Sequence, residues 1–312
     1  MSSPLVSIII PCFNGEKLVA DAIRSALAQT YENKEIIVVD DGSSDGSLSV
    51  IRSFGDRVRV VTGRNQGGSA ARNEGLKVAR GGLIQFLDAD DQLHPEKLAE
   101  QVPVLQKSDA TMVYSDWQEW DINNPQRVLQ FQVIPSSDNP ILVALQFQNI
   151  QTNASIHRKE TLEKIGGFRT DLPCCQERDL VLRLACAGAR FHHLPKVLHT
   201  VRRCPDSVSS DQLKVLRWMR TLLMDQYREL SHLGKLTPEV SRAFAALLAR
   251  QGRALIRHGE CELAREYYRE ALQIHPAGVA GAYQPAGYLL CRSLGPVLAE
   301  RILHKWKRWI NA

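Results

Sequence analysis

A mainly parallel α/β sheet flanked by helices, followed by an all-α C-terminal region, is the architecture predicted for this chain of 312 residues. Three observations carry that prediction. Short apolar runs alternate with helix-patterned stretches through the first 110 residues. Polar and acidic residues follow the apolar runs directly, as they do at the carboxyl ends of strands in open α/β sheets. From Leu213 to Gln273 nearly every residue is a helix former.

In chain order, Leu5-Val6-Ser7-Ile8-Ile9-Ile10 reads as a buried strand that stops at Pro11. Phe13-Asn14-Gly15 supplies the turn. Within residues 16–29, Leu18, Ala22, Ile23, Ala26 and Leu27 fall on one side of a helix. Glu35-Ile36-Ile37-Val38-Val39 is a second strand. It runs into Asp40-Asp41-Gly42-Ser43-Ser44-Asp45-Gly46, whose Asp and Ser side chains can cap a helix continuing from Leu48 to Phe54. Val58-Arg59-Val60-Val61 is a third strand, and Leu76 to Ala79 lie in the next helix. The run from Leu83 to Leu87, broken only by Gln85, is a fourth strand and enters Asp88-Ala89-Asp90-Asp91; a helix starts near His94-Pro95-Glu96. Beyond residue 110 the alternation loosens. Met112-Val113-Tyr114 and Thr152-Asn153-Ala154-Ser155-Ile156 read as strands. The polar stretch from Asp121 to Asn139, with Pro125 and Pro135, predicts a long surface loop. Ile165-Gly166-Gly167-Phe168 is a turn after a short helix, and Leu180 to Ala187 has helical spacing.

Composition shifts near Pro205, which places a domain boundary close to residue 210 and divides the chain into 1–210 and 211–312. In the second part, Leu248, Gly252, Ala264, Tyr268, Ala271 and Pro276 fall at the spacings of one tetratricopeptide-type hairpin. An ordinary helix pair reads the same residues equally well, and one repeat cannot form a solenoid. At the C-terminus, Leu298, Ile302, Trp306 and Trp309 share one helical face while Arg301, Lys305 and Arg308 share another. Five basic residues stand against one acid from Cys291 onward. Such a helix suits peripheral contact with an anionic membrane surface through 297–310; packing of its tryptophans on the hairpin is the other reading.

Bulk properties narrow the function. Hydrophobic residues are 44% and charged residues 23%, as in ordinary globular proteins. A formal charge of +5 does not by itself imply nucleic acid, and no nucleic-acid partner is expected. The seven cysteines are irregularly spaced and form no Cys-x-x-Cys pair, so a zinc site is not expected and reduced, cytoplasmic thiols are. The adjacent Cys174-Cys175 reads either as a redox pair or as local packing. Leu5 to Cys12 is too short to span a membrane and lacks preceding basic residues, so it is not a signal peptide. No later run reaches membrane-span length, which excludes a polymer synthase carrying its own channel on this chain.

The chemistry lies at the strand ends. No Walker-type Gly-Lys-Ser/Thr is present and no Gly-x-Gly-x-x-Gly follows the first strand. Instead Pro11 to Asn14, Asp40-Asp41 and Asp88 to Asp91 would line one edge of the sheet. Phe13 could stack on a base, Asp41 could accept from a base N–H, and Arg72 could face phosphate. Three carboxylates within four residues repel one another and invite a hard cation with a bound phosphate; the alternative is a solvated acidic turn.

Four segments, Val6 to Asn14, Val38 to Asp45, Asn65 to Asn73 and Phe86 to Asp91, together resemble family 2 glycosyltransferases in order and spacing, and the resemblance covers about residues 4 to 210. It implies a GT-A (Rossmann-like) fold, a nucleotide-sugar donor with UDP as the first choice, a divalent metal (Mn2+ or Mg2+) and inversion at the anomeric carbon. It also implies a carbohydrate or glycolipid acceptor, most often in surface polysaccharide synthesis, and a cytoplasmic or inner-face peripheral location. By position, Pro11, Phe13, Asn14, Asp41, Arg72 and Asp88 would take the nucleotide, with Asp41 on the base and Asp88 on the ribose side. Asp90 would hold the metal, while Asp91, Gly167, Asp179 and Arg203 would lie toward sugar or acceptor. Phe13 stands where Tyr is frequent, so stacking survives without a hydroxyl. Gln176-Glu177 replaces the usual Glu-Asp, which puts Glu177 at the catalytic base position; otherwise Glu177 and Asp179 are acids favoured in a first helical turn. Cys204 replaces a late His. Two other classes compete: a non-catalytic nucleotide-sugar-binding or scaffold protein acting through its helical region, and a nucleotidyltransferase, whose glycine-rich basic loop is missing from residues 11 to 20.

Overall fold

The computed structural model describes every residue except 1–2, 122–123, 133–137, 147–150, 204–211, 284, 301 and 304–312. Contacts divide the chain into two compact units, Met1–Ser207 and Val208–Ala312.

The first unit opens with β1 (Val6–Cys12), α1 (Val19–Leu27), β2 (Lys34–Asp40), α2 (Ser47–Arg52), β3 (Arg59–Thr62), α3 (Gly68–Val78) and β4 (Leu83–Phe86). It continues through β5 (Gln92–Leu93), α4 (Lys97–Lys107), β6 (Met112–Asp121), β7 (Asn124–Gln132), α5 (Pro140–Gln146), β8 (Ser155–Arg158), α6 (Lys159–Lys164), α7 (Gln176–Cys186) and β9 (Phe191–Arg203). Among the described residues these nine strands form one sheet in the order β3-β2-β1-β4-β8-β6-β9-β5, with β7 added on β6. The first four strands are parallel. From β8 onward the sheet is mixed: β8 runs antiparallel to both β4 and β6, β9 is parallel to β6, and β5 and β7 are antiparallel additions.

The continuous apolar run of β1 is explained by its place. With neighbours on both edges, Val6, Ile8, Ile9 and Ile10 are wholly buried. α1 buries Val19, Ala22, Ile23 and Ala26 on the same core. Register then aligns the strand ends. Cys12 pairs with Asp40 and Asp40 with Thr62, while Ile9 pairs with Phe86. Residues following β1, β2, β3 and β4 therefore emerge along one edge.

One expectation is overturned. The polar stretch 121–139 is not a plain loop, because Asn124–Gln132 is β7 and pairs with β6 through an irregular register. Pro125 is compatible with that place, since among the described residues β7 pairs with β6 alone and prolines are tolerated on edge strands. Pairing with a long, otherwise half-open β6 supplied what local propensity did not.

The second unit is helical: α8 (Gln212–His232), α9 (Pro238–Arg257), α10 (Cys261–Ile274) and α11 (Pro285–Leu294). Thr237 caps α9, its hydroxyl accepting from Val240 N at 3.2 Å, and Pro238 occupies the first turn. α9 and α10 pack on each other; α9 buries Phe244, Leu248 and Leu255, and α10 buries Ala264, Tyr268 and Ala271. Gly252 permits the close approach, since a Cβ there would stand 2.9 Å from the Tyr268 ring. Leu298 and Ile302 are exposed, whereas Arg301, Lys305, Trp306, Arg308 and Trp309 of the expected amphipathic end lie outside the described residues. So do Cys204 and Pro205.

Candidate active site

The loops after β1 and β2 are stitched together by short polar side chains. Asn14, in a left-handed conformation with φ 49°, accepts at Oδ1 from Ser44 N at 2.8 Å and donates its own N–H to Ser43 Oγ at 3.0 Å. Asp45 accepts from Glu16 N at 3.1 Å and Ser47 N at 3.0 Å. The Asn14 carbonyl oxygen is thus committed to the neighbouring loop. Pro11 is half-buried in β1, and Phe13 stands about half exposed beside this seam, with its ring available for stacking.

Asp41 is also committed. Its two carboxylate oxygens accept from Gln66 N at 2.9 Å and Gly67 N at 2.8 Å, fixing the loop that leads into α3. A carboxylate has about four lone-pair positions, so each oxygen keeps one. Beside it, Asp40 Oδ1 is buried and has no hydrogen-bond partner among the described residues. Both acids line a cleft of about 280 Å³ with Thr62, Arg64, Gln66 and Ala71.

Arg72, on α3, joins the two halves of the site. Its Nη2 donates to Asp88 Oδ1 at 2.5 Å and lies 4.0 Å from Glu177 Oε1 at the start of α7. The guanidinium rests over the Phe168 ring, 5.3 Å from its centroid. Burial opposes the Arg72 charge, but Asp88, Glu177 and Asp90 outweigh it and hold its pKa above the usual value. Four of the residues singled out from sequence therefore converge: Arg72, Asp88, Asp90 and Glu177.

The acid cluster divides by burial. Asp91 is 4% exposed; its oxygens accept from Asn153 Nδ2 at 2.5 Å and Arg202 N at 2.8 Å. Asn153 Oδ1 in turn accepts from Asp88 N at 2.8 Å. Burial, then the charges of Asp90 and Asp88, push the Asp91 carboxyl well above the carboxylate range. Asp91 faces inward and braces the cluster. Asp90 is half-buried, and burial followed by the Asp88 charge pushes its carboxyl up to about 6, against the opposing pull of Arg202 and Arg72. Arg202 holds this turn from β9: its Nε donates to Asp90 O and its Nη1 to Asp21 Oδ2 at 3.0 Å.

Behind Arg72, Asn73 grips the Gly-Gly-Phe turn from both sides, with Nδ2 donating to Phe168 O at 2.8 Å and Oδ1 accepting from Phe168 N at 2.9 Å. Gly167 has φ 68°, and a Cβ on it would overlap Asn73 Oδ1. Asp179 is buried and pairs with Arg183 at 2.7 Å; Arg183 donates to Ile165 O and Gly167 O at 2.9 and 2.8 Å. Asp179 thus supports the turn from inside. Arg203 pairs with Glu119 at 2.7 Å and otherwise faces solvent. Sequence reasoning missed Asn73, Asn153, Arg183 and Arg202. Asn73 and Arg202 were adjacent to residues already singled out; nothing in the pattern around Asn153 or Arg183 marked them.

Among the described residues no helix is long and apolar enough to cross a membrane, and no three His, Cys, Asp or Glu side chains are grouped to hold a cation unaided.

Residues 7–166 match the profile of Glycosyl transferase family 2. An uncharacterized glycosyltransferase of Haemophilus influenzae is 31% identical over 229 residues, covering 70% of this chain and 87% of that protein. An uncharacterized glycosyltransferase of Rickettsia felis is 37% identical over 196 residues, which is 58% of this chain and 32% of its relative. The chain spans about a third of the length of the Rickettsia proteins it matches. Among solved structures, S. aureus TarS 1-349 aligns over 97% of this chain and 91% of its own with a TM-score of 0.66 at 18% identity. A mannosyltransferase of Pyrobaculum calidifontis, solved with GDP-Man and Mn2+, aligns over 98% and 88% with a TM-score of 0.57 at 18% identity. These structures share the GT-A fold, and with the profile covering half its length the chain belongs to glycosyl transferase family 2.

Proposed function

We propose that the protein is an inverting glycosyltransferase that moves a sugar from a nucleoside-diphosphate sugar to an acceptor hydroxyl. The observation that carries this reading is the Arg72 guanidinium set between Asp88, after β4, and Glu177, at the start of α7. A cation placed there suits a diphosphate, and a carboxylate across from it suits a base. Glu177 takes the proton from the acceptor hydroxyl as that oxygen attacks the anomeric carbon; the bond to the diphosphate breaks on the opposite face. Phe13 stacks on the base, with Asp40 and Asp41 as acceptors for its N–H groups, and Arg72 binds the diphosphate. The acceptor is a carbohydrate or glycolipid of surface polysaccharide synthesis. UDP is the favoured nucleotide, supported by the TarS complexes with UDP and UDP-GlcNAc.

The residues fit a divalent metal. The Asp90 carboxyl is raised to about 6 by burial and its acidic neighbour, which is the charge excess a hard cation relieves. Asp90, with Asp88 beside it, would hold the ion, and donor phosphates would complete a set that one or two carboxylates only begin. Such a cation supplies charge neutralisation to the diphosphate leaving group. Exposed Leu298 and Ile302, followed in sequence by basic residues and two tryptophans, support peripheral contact with an anionic membrane.

The test is nucleoside-diphosphate release from a panel of UDP- and GDP-sugars with Mn2+ or Mg2+. Glu177→Gln and Asp90→Asn should each abolish transfer while cooperative thermal unfolding is retained, Asp90→Asn without loss of stability because it removes a carboxyl whose charge burial disfavours. Full activity in purified Glu177→Gln would refute the assignment of the base.

A further inference from the structure

Gln85 is the one polar residue in β4, and it is wholly buried. Its amide donates to Asn153 O at 3.0 Å. Asn153 lies in the short turn Thr152–Ala154 that enters β8. The next carbonyl, Ala154 O, accepts from Lys97 Nζ at 2.8 Å, Gln101 Nε2 at 2.9 Å and Ser115 Oγ at 3.4 Å. Lys97 also donates to Gln101 Oε1 at 2.6 Å. Gln85, Lys97, Gln101 and Asn153 are all fully enclosed. Taking an amine and two amides out of water costs free energy that their hydrogen bonds only offset. Here all three converge on two consecutive carbonyls, so the backbone that carries Asn153 is held firmly.

That turn sends one side chain toward the acid cluster. β4 and β8 are antiparallel with Gln85 opposite Ile156, and the same register carried onward sets Asn153 opposite Asp88. Strand pairing has ended there, and the Asn153 side chain takes its place. Oδ1 accepts from Asp88 N at 2.8 Å, and Nδ2 donates to Asp91 Oδ2 at 2.5 Å. A single amide thus grips both ends of the Asp88–Asp91 turn. With Asp91 held inward, Asp88 and Asp90 are the carboxylates of the turn left to face a ligand. We propose that Asn153 is a positioning residue for donor binding: it holds this turn in the shape that takes the diphosphate end of the donor and its cation. The ligand rests on the nucleotide-sugar reading given above, whereas the grip on the turn does not. Asn153→Asp keeps the size of the side chain and an acceptor for Asp88 N. It removes the donor to Asp91 and sets two carboxylates against each other, which forces the turn apart.

The test is titration calorimetry of UDP on the full chain, with Mn2+ and with EDTA, below the thermal transition of each variant. Asn153→Asp should weaken UDP binding in Mn2+ by about 10- to 100-fold, the usual cost of losing a residue that orients metal ligands. Combining Asn153→Asp with Asp91→Asn should restore most of that affinity. In the exchanged pair the amide at position 91 donates to the carboxylate at 153, whose other oxygen accepts from Asp88 N, while the amide oxygen at 91 still accepts from Arg202 N. All three bonds re-form at the same net charge. A role in stability alone would lower the unfolding temperature and leave the affinity of the folded protein as it is. If Asn153→Asp does not fold, Asn153→Ser drops both bonds without adding a charge and should show the same loss. Wild-type affinity in the folded single variant overturns the proposal, as does an exchanged pair that folds and binds no better than the single variant. If Mn2+ does not tighten wild-type binding, the metal assignment fails and the same comparison is decided in EDTA. A wild type that binds no UDP in either buffer overturns the nucleotide-sugar reading and this role with it.

Discussion

Replacing Gly167 by Ala tests whether the Gly-Gly-Phe turn and α3 are one mechanical piece. At φ 68° an alanine pays the left-handed penalty of about 1–2 kcal/mol. Its Cβ would also overlap Asn73 Oδ1 and displace the side chain that grips Phe168 at both N and O. Two hydrogen bonds at about 1 kcal/mol each then go, for a total of about 3–4 kcal/mol. In an Asn73→Ala background there is nothing left to displace. The next neighbour, Leu76 Cδ2, lies at 3.6 Å, an ordinary contact, and the same glycine change should cost only about 1–2 kcal/mol. Urea unfolding of the wild type, both single variants and the double variant gives the coupling, expected at about 2 kcal/mol. Equal costs of Gly167→Ala in the two backgrounds would refute the clamp and leave only backbone strain.

Two further outcomes are expected, besides those for Glu177 and Asp90. Burial holds the fully enclosed Lys97 amine well below its usual range. Between that lowered value and 10.5 the unfolded chain binds one proton more than the folded chain. Stability therefore rises with pH across this window by about 1.4 kcal/mol per unit, and Lys97→Met should remove that slope when urea unfolding is compared at neutral and mildly alkaline pH; parallel profiles would mean that Lys97 stays charged in the fold. Arg72→Lys keeps the charge but loses the planar fork between Asp88 and Glu177, so titration calorimetry with UDP and Mn2+ should show binding weakened by about tenfold or more. Unchanged affinity would remove Arg72 from the diphosphate site.

Local pattern sufficed where a residue's role is decided by its own strand or helix. β1 reads as buried because its apolar run is unbroken but for Ser7, and Asp88 to Asp91 fall at a strand end because an apolar run stops there. What stayed hidden is whatever a distant partner decides. Asp91 and Asp90 are one residue apart and look equivalent in sequence. Asn153 and the backbone of Arg202, 62 and 111 residues further along the chain, turn one inward and leave the other half-exposed. Asp179 is a first-turn acid of α7, as its position suggests, but its pairing with Arg183, which holds the Gly-Gly-Phe turn, is not legible from that position. β7 was illegible for the same reason: its polar, proline-bearing stretch becomes a strand only because β6 offers an edge.

The long-range hydrogen bonds onto Asp91 bear on how the protein is made. Its carboxylate takes one bond from the turn that leads into β8 and another from β9, so the geometry of the acid cluster is assembled from the far end of the first unit. A nascent chain that has emerged only through the turn after β4 carries every acid of the cluster, and Arg72 beside Asp88, but neither Asn153 nor Arg202. Contacts closing loops this long form slowly relative to neighbouring strand pairs. The finished arrangement of the acids should therefore arrive as a late, single event on docking of β8 and β9, not accumulate as the parallel strands zip together.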